Sequence, residues 1–290
     1  MNNSQGILLM IAAMAGFALE DMFIKTLSKT LPTGQILMML GLGGAFCFAT
    51  LLRLRRGTLA PLVAPVMGSR VMLIRNVGEA FSSIAFVTAL SLVPISTVAA
   101  VFQATPLAIT AGAALFLGDH VGWRRWSAII VGFIGVMLII RPGMEGFSTT
   151  ALLPLIAVVG VAFRDLVTRS VPGDIPSMAI AFYGFMSLFF ASLIMIFFSD
   201  PFQWLTPMEM LYMLGAITFG VSGYWAIVES MRRADTSTVM PFRYTRLIFS
   251  LIIGIIVFSE RPDTLTLLGA GIIVGTGIYM VWRESRLTSR

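Results

Sequence analysis

Eight ionisable side chains stand inside long apolar stretches of this sequence, and their chemistry needs an explanation. They are four acids and four arginines: Glu20, Asp21, Glu79 and Asp165, with Arg75, Arg164, Arg243 and Arg246. A charge at the centre of a membrane helix costs about 2.5–3.5 kcal/mol, so it needs a partner or a water-filled cavity. Pairing among the eight would account for all of them. The alternative is that some of them bind a charged solute or carry a proton.

Two arginines in the segment 241–246, Pro-Phe-Arg-Tyr-Thr-Arg, are candidates for binding an anion. Arg243 and Arg246 are three residues apart and therefore share one helix face. A guanidinium presents a planar fork that matches a carboxylate or a phosphate and tolerates partial burial. We predict that at least one of the two binds an anionic group. In the alternative, both arginines pair with Glu20 and Glu79.

Two acids are candidates for binding a positive charge. Glu79 follows Arg75 by four residues and stands nearly three turns into its apolar stretch, too deep to reach the interface easily. Gly220 stands at the corresponding place 141 residues later, so this acid occurs in one half of the chain only. Glu79 is either the partner of Arg75, a proton carrier or, like Glu20, a group that binds the cationic part of a substrate.

Uncharged side chains complete the predicted substrate-binding set. They are Gln103, Tyr224, Trp225 and Tyr244. Gln103 is three positions from Pro106, and Tyr244 is three positions from Pro241. A proline inside a membrane helix frees a backbone carbonyl, which is tolerated where the helix lines a cavity. Tyr224 and Trp225 stand in the middle of an apolar stretch, away from the interfaces where aromatic residues collect. These two either stack on a substrate or pack against lipid and neighbouring helices.

Two acid–base pairs with a spacing of four residues are candidates for gates. Asp21 precedes Lys25, and Asp165 precedes Arg169 in the same arrangement 144 residues later. Residues four apart are neighbours on a helix surface, so each pair is predicted to form a local ion pair. The two helices enter the membrane from opposite sides, which places the pairs toward opposite surfaces. They are either ion pairs that stabilise helix ends or outer and inner gate elements.

The helices that must position these residues are the apolar stretches themselves. Ten can be drawn, at roughly 5–25, 32–52, 71–92, 96–117, 123–140, 150–169, 177–198, 208–230, 237–258 and 265–282. Each approaches the ~20 residues that cross a ~30 Å hydrocarbon core. The chain is 57% hydrophobic and 12% charged, whereas soluble domains carry about 25% charged residues. We predict an all-α membrane protein with ten transmembrane helices and no separate soluble domain.

The chain also looks like one unit written twice. Gly16, Asp21, Lys25 and Pro32 recur 144 residues later as Gly160, Asp165, Arg169 and Pro176, and Asp119 recurs 141 residues later as Glu260. The predicted units are residues 1–143 and 144–290, joined by a turn at 141–146. An odd number of spans in each unit makes the repeats inverted, which is typical of a carrier with its site between the halves. Ser96 and its equivalent Ser237 are predicted to cap helix N-termini.

The distribution of Lys and Arg among the loops predicts the orientation. With the N-terminus inside, the cytoplasmic side holds Arg53, Arg55, Arg56, Arg70, Arg124, Arg125, Arg169, Arg232, Arg233, Arg283, Arg286 and Arg290. The outer side holds Lys25, Lys29, Arg141 and Arg261. By the positive-inside rule both termini are predicted to be cytoplasmic. The net charge of +6 therefore reflects topology, and we expect the lipid bilayer as a partner and no nucleic acid.

Familiar catalytic patterns do not occur in the sequence. His120 is the single histidine and Cys47 the single cysteine, which excludes an intramolecular disulfide and metal sites built from several histidines or cysteines. Phosphate-binding loops and the zinc-protease and serine-hydrolase motifs are also missing. We predict no enzyme activity, no cofactor and no metal site. A monomer is expected, and Gly271-x-x-x-Gly275 is either a dimerisation face or a place of close internal packing.

Three features together resemble a known family. They are Pro106 within the fourth stretch, a small residue followed by an acid at the ends of the fourth and ninth stretches (Gly118-Asp119 and Ser259-Glu260), and Gly-rich closing stretches. This pattern is similar to the EamA-type branch of the drug/metabolite transporter superfamily and covers essentially the whole chain. The resemblance implies ten spans in two five-span repeats, located in the inner (plasma) membrane. Members of that family carry amino acids, nucleotide-related metabolites, vitamins and drugs.

From the charges and the resemblance we expect a secondary, alternating-access carrier of a small organic metabolite. A carboxylate or another anionic group of the substrate would meet Arg243 and Arg246, and a cationic group would meet Glu79 or Glu20. An amino acid carries both signs, so an amino-acid exporter is the first hypothesis. A riboflavin-like vitamin, a nucleotide-derived metabolite or a drug fits part of the same set of residues.

Overall fold

The computed structural model describes residues 3–62, 69–143, 147–172, 175–198, 201–234 and 236–288. Its helices are α1 (Asn3–Leu27), α2 (Thr33–Arg56), α3 (Arg70–Leu92), α4 (Ile95–Phe102), α5 (Thr105–Phe116), α6 (Trp123–Ile140), α7 (Leu153–Thr168), α8 (Ser177–Ile196), α9 (Pro207–Arg233), α10 (Thr236–Val239), α11 (Thr245–Phe258) and α12 (Thr264–Thr288). Short 3-10 helices cover Ala60–Leu62, Thr149–Leu152 and Met240–Tyr244. In these described segments 10 spans are long and apolar enough to cross a membrane, which confirms the all-α membrane fold with ten spans.

The fourth and ninth spans are interrupted, and both interruptions carry polar positions predicted from the sequence. α4 and α5 are separated at Gln103 and Ala104, just before Pro106, which lacks the amide hydrogen that a continuous helix would use. In the ninth span the 3-10 helix Met240–Tyr244, with a proline in its first turn, precedes α11. The break in the fourth span therefore presents Gln103, and the break in the ninth presents Arg243.

The helices pack in pairs that link the first five spans to the last five. α1 packs mainly on α9, α2 on α8, α3 on α7, and α6 on α12, while α4 contacts α11. Numbered as spans, these pairs are first with eighth, second with seventh, third with sixth, fifth with tenth and fourth with ninth. Exchanging spans one to five with spans six to ten reproduces the same set of pairs.

Glycines allow two of these helices to approach very closely. A Cβ atom at Gly135 of α6 would lie 2.8 Å from the carbonyl oxygen of Gly269 of α12. Membrane helices associate through such small residues because their backbones can then make extensive van der Waals contact. The contact between the fifth and tenth spans therefore explains the glycines at 135 and 269.

The fourth and ninth spans end in the same kind of turn. Gly118 and Ser259 have left-handed backbones, with φ of 73° and 54°. The next amide bonds back to the helix in each case: Asp119 N to Ala113 O at 3.2 Å, and Glu260 N to Gly254 O at 2.9 Å. In each turn an amide thus returns to a carbonyl six positions earlier in the helix. Positions 113, 118 and 119 of the first turn correspond to 254, 259 and 260 of the second, which are 141 residues later.

The predicted capping role of Ser96 is wrong. α4 begins after Pro94, and Ser96 lies inside its first turn. The cap comes from the other half of the chain: the carboxylate of Glu260 accepts hydrogen bonds from Ile95 N (2.7 Å), Ser96 N (3.0 Å) and Ser96 Oγ (2.6 Å). A carboxylate at a helix N-terminus satisfies free amides and interacts favourably with the helix dipole. The side chain of Ser237 lies outside the described residues.

The predicted turn at 141–146 is described only in part. Arg141 and Gly143 have left-handed backbones, with φ of 54° and 81°, at the end of α6. Residues 144–146, and with them the expected boundary between 143 and 144, lie outside the described residues.

Gly271 and Gly275 of α12 face open space. A Cβ atom at either position would meet no atom within 4 Å. Close packing inside the chain therefore does not explain this glycine pair, and that alternative is wrong. Its role as a dimerisation face stays a prediction.

Candidate functional site

The eight charged side chains predicted at membrane depth come together on α1, α3, α7, α11 and the 3-10 helix that precedes α11. Six of them form ion pairs with one another, in two separate groups. The other two, Glu20 and Arg243, form no ion pair with the described residues.

Four side chains of α3 and α7 form the first group, which we call the Glu79 cluster: Arg75, Glu79, Arg164 and Asp165. The carboxylate of Glu79 lies between two guanidiniums, with Oε2 2.8 Å from Arg75 Nη2 and Oε1 2.8 Å from Arg164 Nη1. Arg164 also donates from Nη2 to Asp165 Oδ1 at 2.8 Å. Two acids and two bases neutralise each other here, and both oxygens of Glu79 are occupied.

Asp21 of α1 and Arg246 of α11 form the second group. Arg246 Nη2 lies 2.7 Å and 2.9 Å from the two carboxylate oxygens of Asp21, whose residue is only 3% exposed. The same guanidinium lies 5.4 to 5.6 Å from the ring centres of Phe17, Phe86 and Phe102. Aromatic faces attract cations at such distances. Arg246 is therefore held in one place by an acid and three rings.

Glu20 and Arg243 are the charges that have no ion-pair partner in the described part of the chain. The side-chain contact of Arg243 is a long one, 3.9 Å to Met240 Sδ. The charges that act on Arg243 from farther away are those of Arg164, Asp165 and Arg246. The alternative in which Arg243 and Arg246 pair with Glu20 and Glu79 is wrong, because Asp21 takes Arg246 and two arginines of α3 and α7 take Glu79.

The uncharged candidates divide into those beside the charges and those directed elsewhere. Tyr224 lies within electrostatic range of the Glu79 cluster and packs edge-to-face on Phe48, with ring centres 5.3 Å apart. Gln103 is buried at the break in the fourth span. Tyr244 instead contacts Gly277 and lines a groove of about 370 Å³ between α11 and α12. Trp225 is 39% exposed and does not join the charged groups.

The predicted ion pairs between Asp21 and Lys25, and between Asp165 and Arg169, do not form. Lys25 Nζ donates to the backbone carbonyls of Leu90 (3.0 Å) and Val93 (2.6 Å) at the end of α3. Each aspartate has an arginine partner instead, as described above. A pair four residues apart on one helix contributes only about 0.2–0.5 kcal/mol, so contacts imposed by helix packing override it.

Arg169 also finds its partner in the other half of the chain. Its Nη1 lies 3.0 Å from Asp119 Oδ2, in an ion pair that is about half exposed on both sides. Lys25 is the repeat equivalent of Arg169, and Glu260 that of Asp119. The acid Glu260 and the base Lys25 bind the backbone on either side of the same turn, Leu92 to Ser96, at the opposite end of the molecule.

Further contacts at that end were not predicted as functional. Gln35 Nε2 donates to Gln203 O at 2.7 Å, and Gln203 N donates back to Gln35 Oε1 at 3.0 Å. Asp263, in the loop before α12, accepts from Arg141 and from Thr266 N, and these hydrogen bonds lower the pKa of Asp263 to about 2. The one signal in the sequence was the recurrence of Asp119 as Glu260, which marked both acids without revealing what they bind.

Groups that could hold a metal ion are not found in the segments that the structure describes: three His, Cys, Asp or Glu side chains do not converge anywhere in them. The carboxylates of the site are instead matched with guanidiniums. Such an arrangement can bind charged groups of a solute, and it can exchange internal ion pairs for ion pairs with that solute.

Comparison with known proteins finds similar membrane transporters. The model of the EamA-like transporter family matches the chain twice, over residues 4–141 and 148–283. The S-adenosylmethionine uptake transporter of Rickettsia felis is 27% identical, over 76% of this chain and 74% of the relative. The riboflavin transporter of Vibrio cholerae is 31% identical, over 68% and 66%. The pseudopaline exporter of Pseudomonas aeruginosa is 23% identical, over 93% of each chain.

A solved structure is similar over its full length as well. A crystal structure of a protein that is 20% identical to this chain superposes with a TM-score of 0.64, and the match covers 99% of both chains. At this identity the likeness concerns the fold alone.

Proposed function

This chain belongs to the EamA-like transporter family of multi-pass inner-membrane proteins, and we propose that it is a secondary carrier that moves a small organic metabolite by alternating access. The relatives named for S-adenosylmethionine, riboflavin and pseudopaline support transport of small metabolites in general. The proposal excludes enzyme activity, since every group with catalytic potential at membrane depth is better explained as a binding group.

The solute that we propose carries a carboxylate or another anionic group, as an amino acid or an amino-acid derivative does. The observation that carries this proposal is Arg243, a guanidinium at the break in the ninth span whose positive charge no acid of the described chain neutralises. An anionic solute would supply the missing charge, and a charge-assisted hydrogen bond to it contributes about 1.5–3 kcal/mol. Tyr224 and Gln103 are the proposed uncharged contacts, while Arg246 shapes the site through its pair with Asp21.

S-adenosylmethionine is the most informative test solute, because it combines an amino-acid group with an additional positive charge. Riboflavin is the second candidate. It is supported by the riboflavin transporter of Vibrio cholerae, whose identity to this chain is the highest among the relatives above. Export stays the proposed direction. The named relatives include both uptake and export proteins.

We further infer that the halves 1–143 and 144–290 are inverted repeats with both termini in the cytoplasm. Three observations support this inference: the family model matches twice, the helix pairs survive exchange of the halves, and the turns at Gly118 and Ser259 are alike. Repeats related in this way provide two equivalent sets of contacts, one at each membrane surface.

The proposed gates are these two equivalent sets. At one end Lys25 and Glu260 hold the turn between α3 and α4, and at the other Arg169 binds Asp119. In an alternating carrier one set is made while the other is broken. Asp21 and Asp165, first expected in the gates, belong to the charged groups of the binding layer in this proposal.

Transport by purified protein in proteoliposomes tests the proposal. We expect saturable uptake of labelled S-adenosylmethionine or of an amino acid, accelerated when the same solute is present on the opposite side. Arg243→Ala should abolish it, whereas Arg56→Ala, at the exposed end of α2, should leave it unchanged. Wild-type rates in Arg243→Ala would contradict the anionic-solute proposal, and non-saturable flux would contradict the carrier mechanism.

A further inference from the structure

Two helix pairs of this molecule are related by the internal repeat, and they differ in one ion pair. α3 packs on α7, and α9 packs on α1. Their correspondence is visible in close contacts: a Cβ at Gly160 would lie 2.8 Å from Ser82 Cβ, and a Cβ at Gly16 would lie 3.5 Å from the Cα of Gly223. Gly16 and Gly223 are the repeat equivalents of Gly160 and Ser82.

The same correspondence places Glu20 where the first pair has Arg164, and Gly220 where it has Glu79. Across α3 and α7, Arg164 and Glu79 meet in an ion pair of 2.8 Å. Across α1 and α9, the carboxylate of Glu20 lies against Gly220, whose added Cβ would stand 2.7 Å from its carboxyl carbon. The contact is conserved in geometry, but the partner side chain is missing and the remaining side chain is an acid.

Glu20 consequently is a carboxyl group for which the described neighbours supply no opposite charge of their own. Its carboxylate takes part in no hydrogen bond and no ion pair with the described residues, and the nearest charges are those of Asp21 and Arg246, which already bind each other. Glu79, in contrast, would have to give up two ion pairs of 2.8 Å before it could accept a hydrogen bond from a solute.

We infer that Glu20, over Gly220, is the subsite for the positively charged group of the solute. This inference rests on the proposed carrier function and decides between the two acids that the sequence left open. Glu20 and Arg243 are the unneutralised acid and base of the described charges at membrane depth, so a solute that carries both signs compensates both. The solute class is therefore a small metabolite with an ammonium or sulfonium group in addition to its carboxylate.

Binding by purified protein in nanodiscs tests this inference with two probes of different charge. S-adenosylmethionine carries a carboxylate and positive groups, whereas riboflavin is uncharged at neutral pH. Glu20→Gln should weaken the binding of S-adenosylmethionine about tenfold or more, the loss of one charge-assisted contact, and should leave riboflavin binding unchanged. The matched control is Glu229→Gln, at the far end of α9, where the acid pairs with Arg233 at 2.8 Å; no effect is expected there.

A second variant moves the carboxyl group of Glu20 without removing it. Gly220→Ala should displace Glu20 and cause the same selective loss, while Gly275→Ala, which faces open space, should not. Labelling with dicyclohexylcarbodiimide, which modifies unpaired carboxyls within membranes, adds a readout that needs no solute. We expect modification of Glu20 and none of Glu79.

The outcomes separate this inference from the proposed function. Transport of S-adenosylmethionine that Glu20→Gln leaves unchanged, or that only Glu79→Gln weakens, overturns the subsite while the carrier stands. Wild-type protein that binds riboflavin and not S-adenosylmethionine overturns the cationic solute class. Carbodiimide modification of Glu79 in place of Glu20 overturns the assignment of the free acid, whatever solute is carried.

Discussion

At the scale of single residues, Arg243 and Arg246 show how three positions along the chain separate two roles. Arg246 is buried against Asp21 and three aromatic rings, so its charge is already compensated. Among the described residues, Arg243 contacts the sulfur of Met240 at 3.9 Å and forms no ion pair. The sequence presented the two arginines as equivalent members of one face, and the structure gives Arg246 an ion-pair partner and Arg243 none among the described residues.

We therefore predict that the two alanine variants differ in how much stability they lose. Arg246→Ala leaves the carboxylate of Asp21 buried without its partner, which should lower the free energy of unfolding by about 3–5 kcal/mol. Arg243→Ala removes a charge without a partner and should change stability little. Thermal unfolding of the detergent-purified variants measures both, and Asp21→Asn combined with Arg246→Ala should recover much of the loss. Equal destabilisation by the two single variants would contradict the distinction.

The charged residues themselves were predictable, but their partners were not. An ion inside an apolar stretch is visible in any sequence, because its cost in the membrane does not depend on the fold. Which acid meets which base depends on how helices far apart in the chain pack, as for Asp21 and Arg246, which are 225 positions apart. The local pair of Asp21 and Lys25, which the sequence spacing favoured, does not form because helix packing brings Arg246 to Asp21.

At the scale of the helices, the C-terminal turns of the fourth and ninth spans require the same left-handed backbone conformation but use different residues for it. Gly118 adopts a φ of 73° without steric cost, whereas Ser259 adopts 54° with a Cβ atom present. Both turns direct an acid, Asp119 or Glu260, toward the other half of the chain. The shape of the turn therefore positions the contacts of Asp119 and Glu260 that we propose as gates.

This predicts that Gly118→Ser lowers stability by about 1 kcal/mol, because a side chain raises the energy of the left-handed backbone. Gly122, four residues later, is the matched control: its φ is −66°, it stands at the N-cap of α6, and a Cβ there also meets open space. Gly122→Ser should therefore be neutral or stabilising. The two midpoints of thermal unfolding are compared, and a similar change in both variants would argue against strain at Gly118.

The spans were predictable to within a few residues, since hydropathy and length set them, and their interruptions were not. Pro106 and Pro241 predicted an irregular helix in each of these two spans. The end of α4 at Phe102 and the 3-10 helix Met240–Tyr244 depend on packing and were not predicted. The cap of α4 was missed for a related reason. Ser96 is the local residue with capping chemistry, whereas Glu260 is brought to the same amides from 164 positions away.

At the scale of the whole molecule, the packing of the helices follows the internal repeat, whereas the charges at membrane depth depart from it. The helix pairs are the same after exchange of the halves, which allows two related arrangements of one scaffold. The charges at membrane depth do not obey the exchange, since Gly220 faces Glu20 where Glu79 faces Arg164. In the carrier that we propose, the symmetric packing supports the alternating motion and the asymmetric charges recognise the solute.

The motion can alternate across the membrane only if the two repeat-related ends face opposite sides, and this is tested by labelling. Twelve Lys and Arg residues on one side against four on the other predict that the end with Lys29 is outside and the end with Arg55 is cytoplasmic. In a Cys47→Ser background, a membrane-impermeant maleimide should label Lys29→Cys in intact cells. Arg55→Cys and Ser289→Cys should react only after permeabilisation, and labelling of Ser289→Cys from outside would reverse the topology and, with it, the assignment of the outer gate to Lys25 and Glu260.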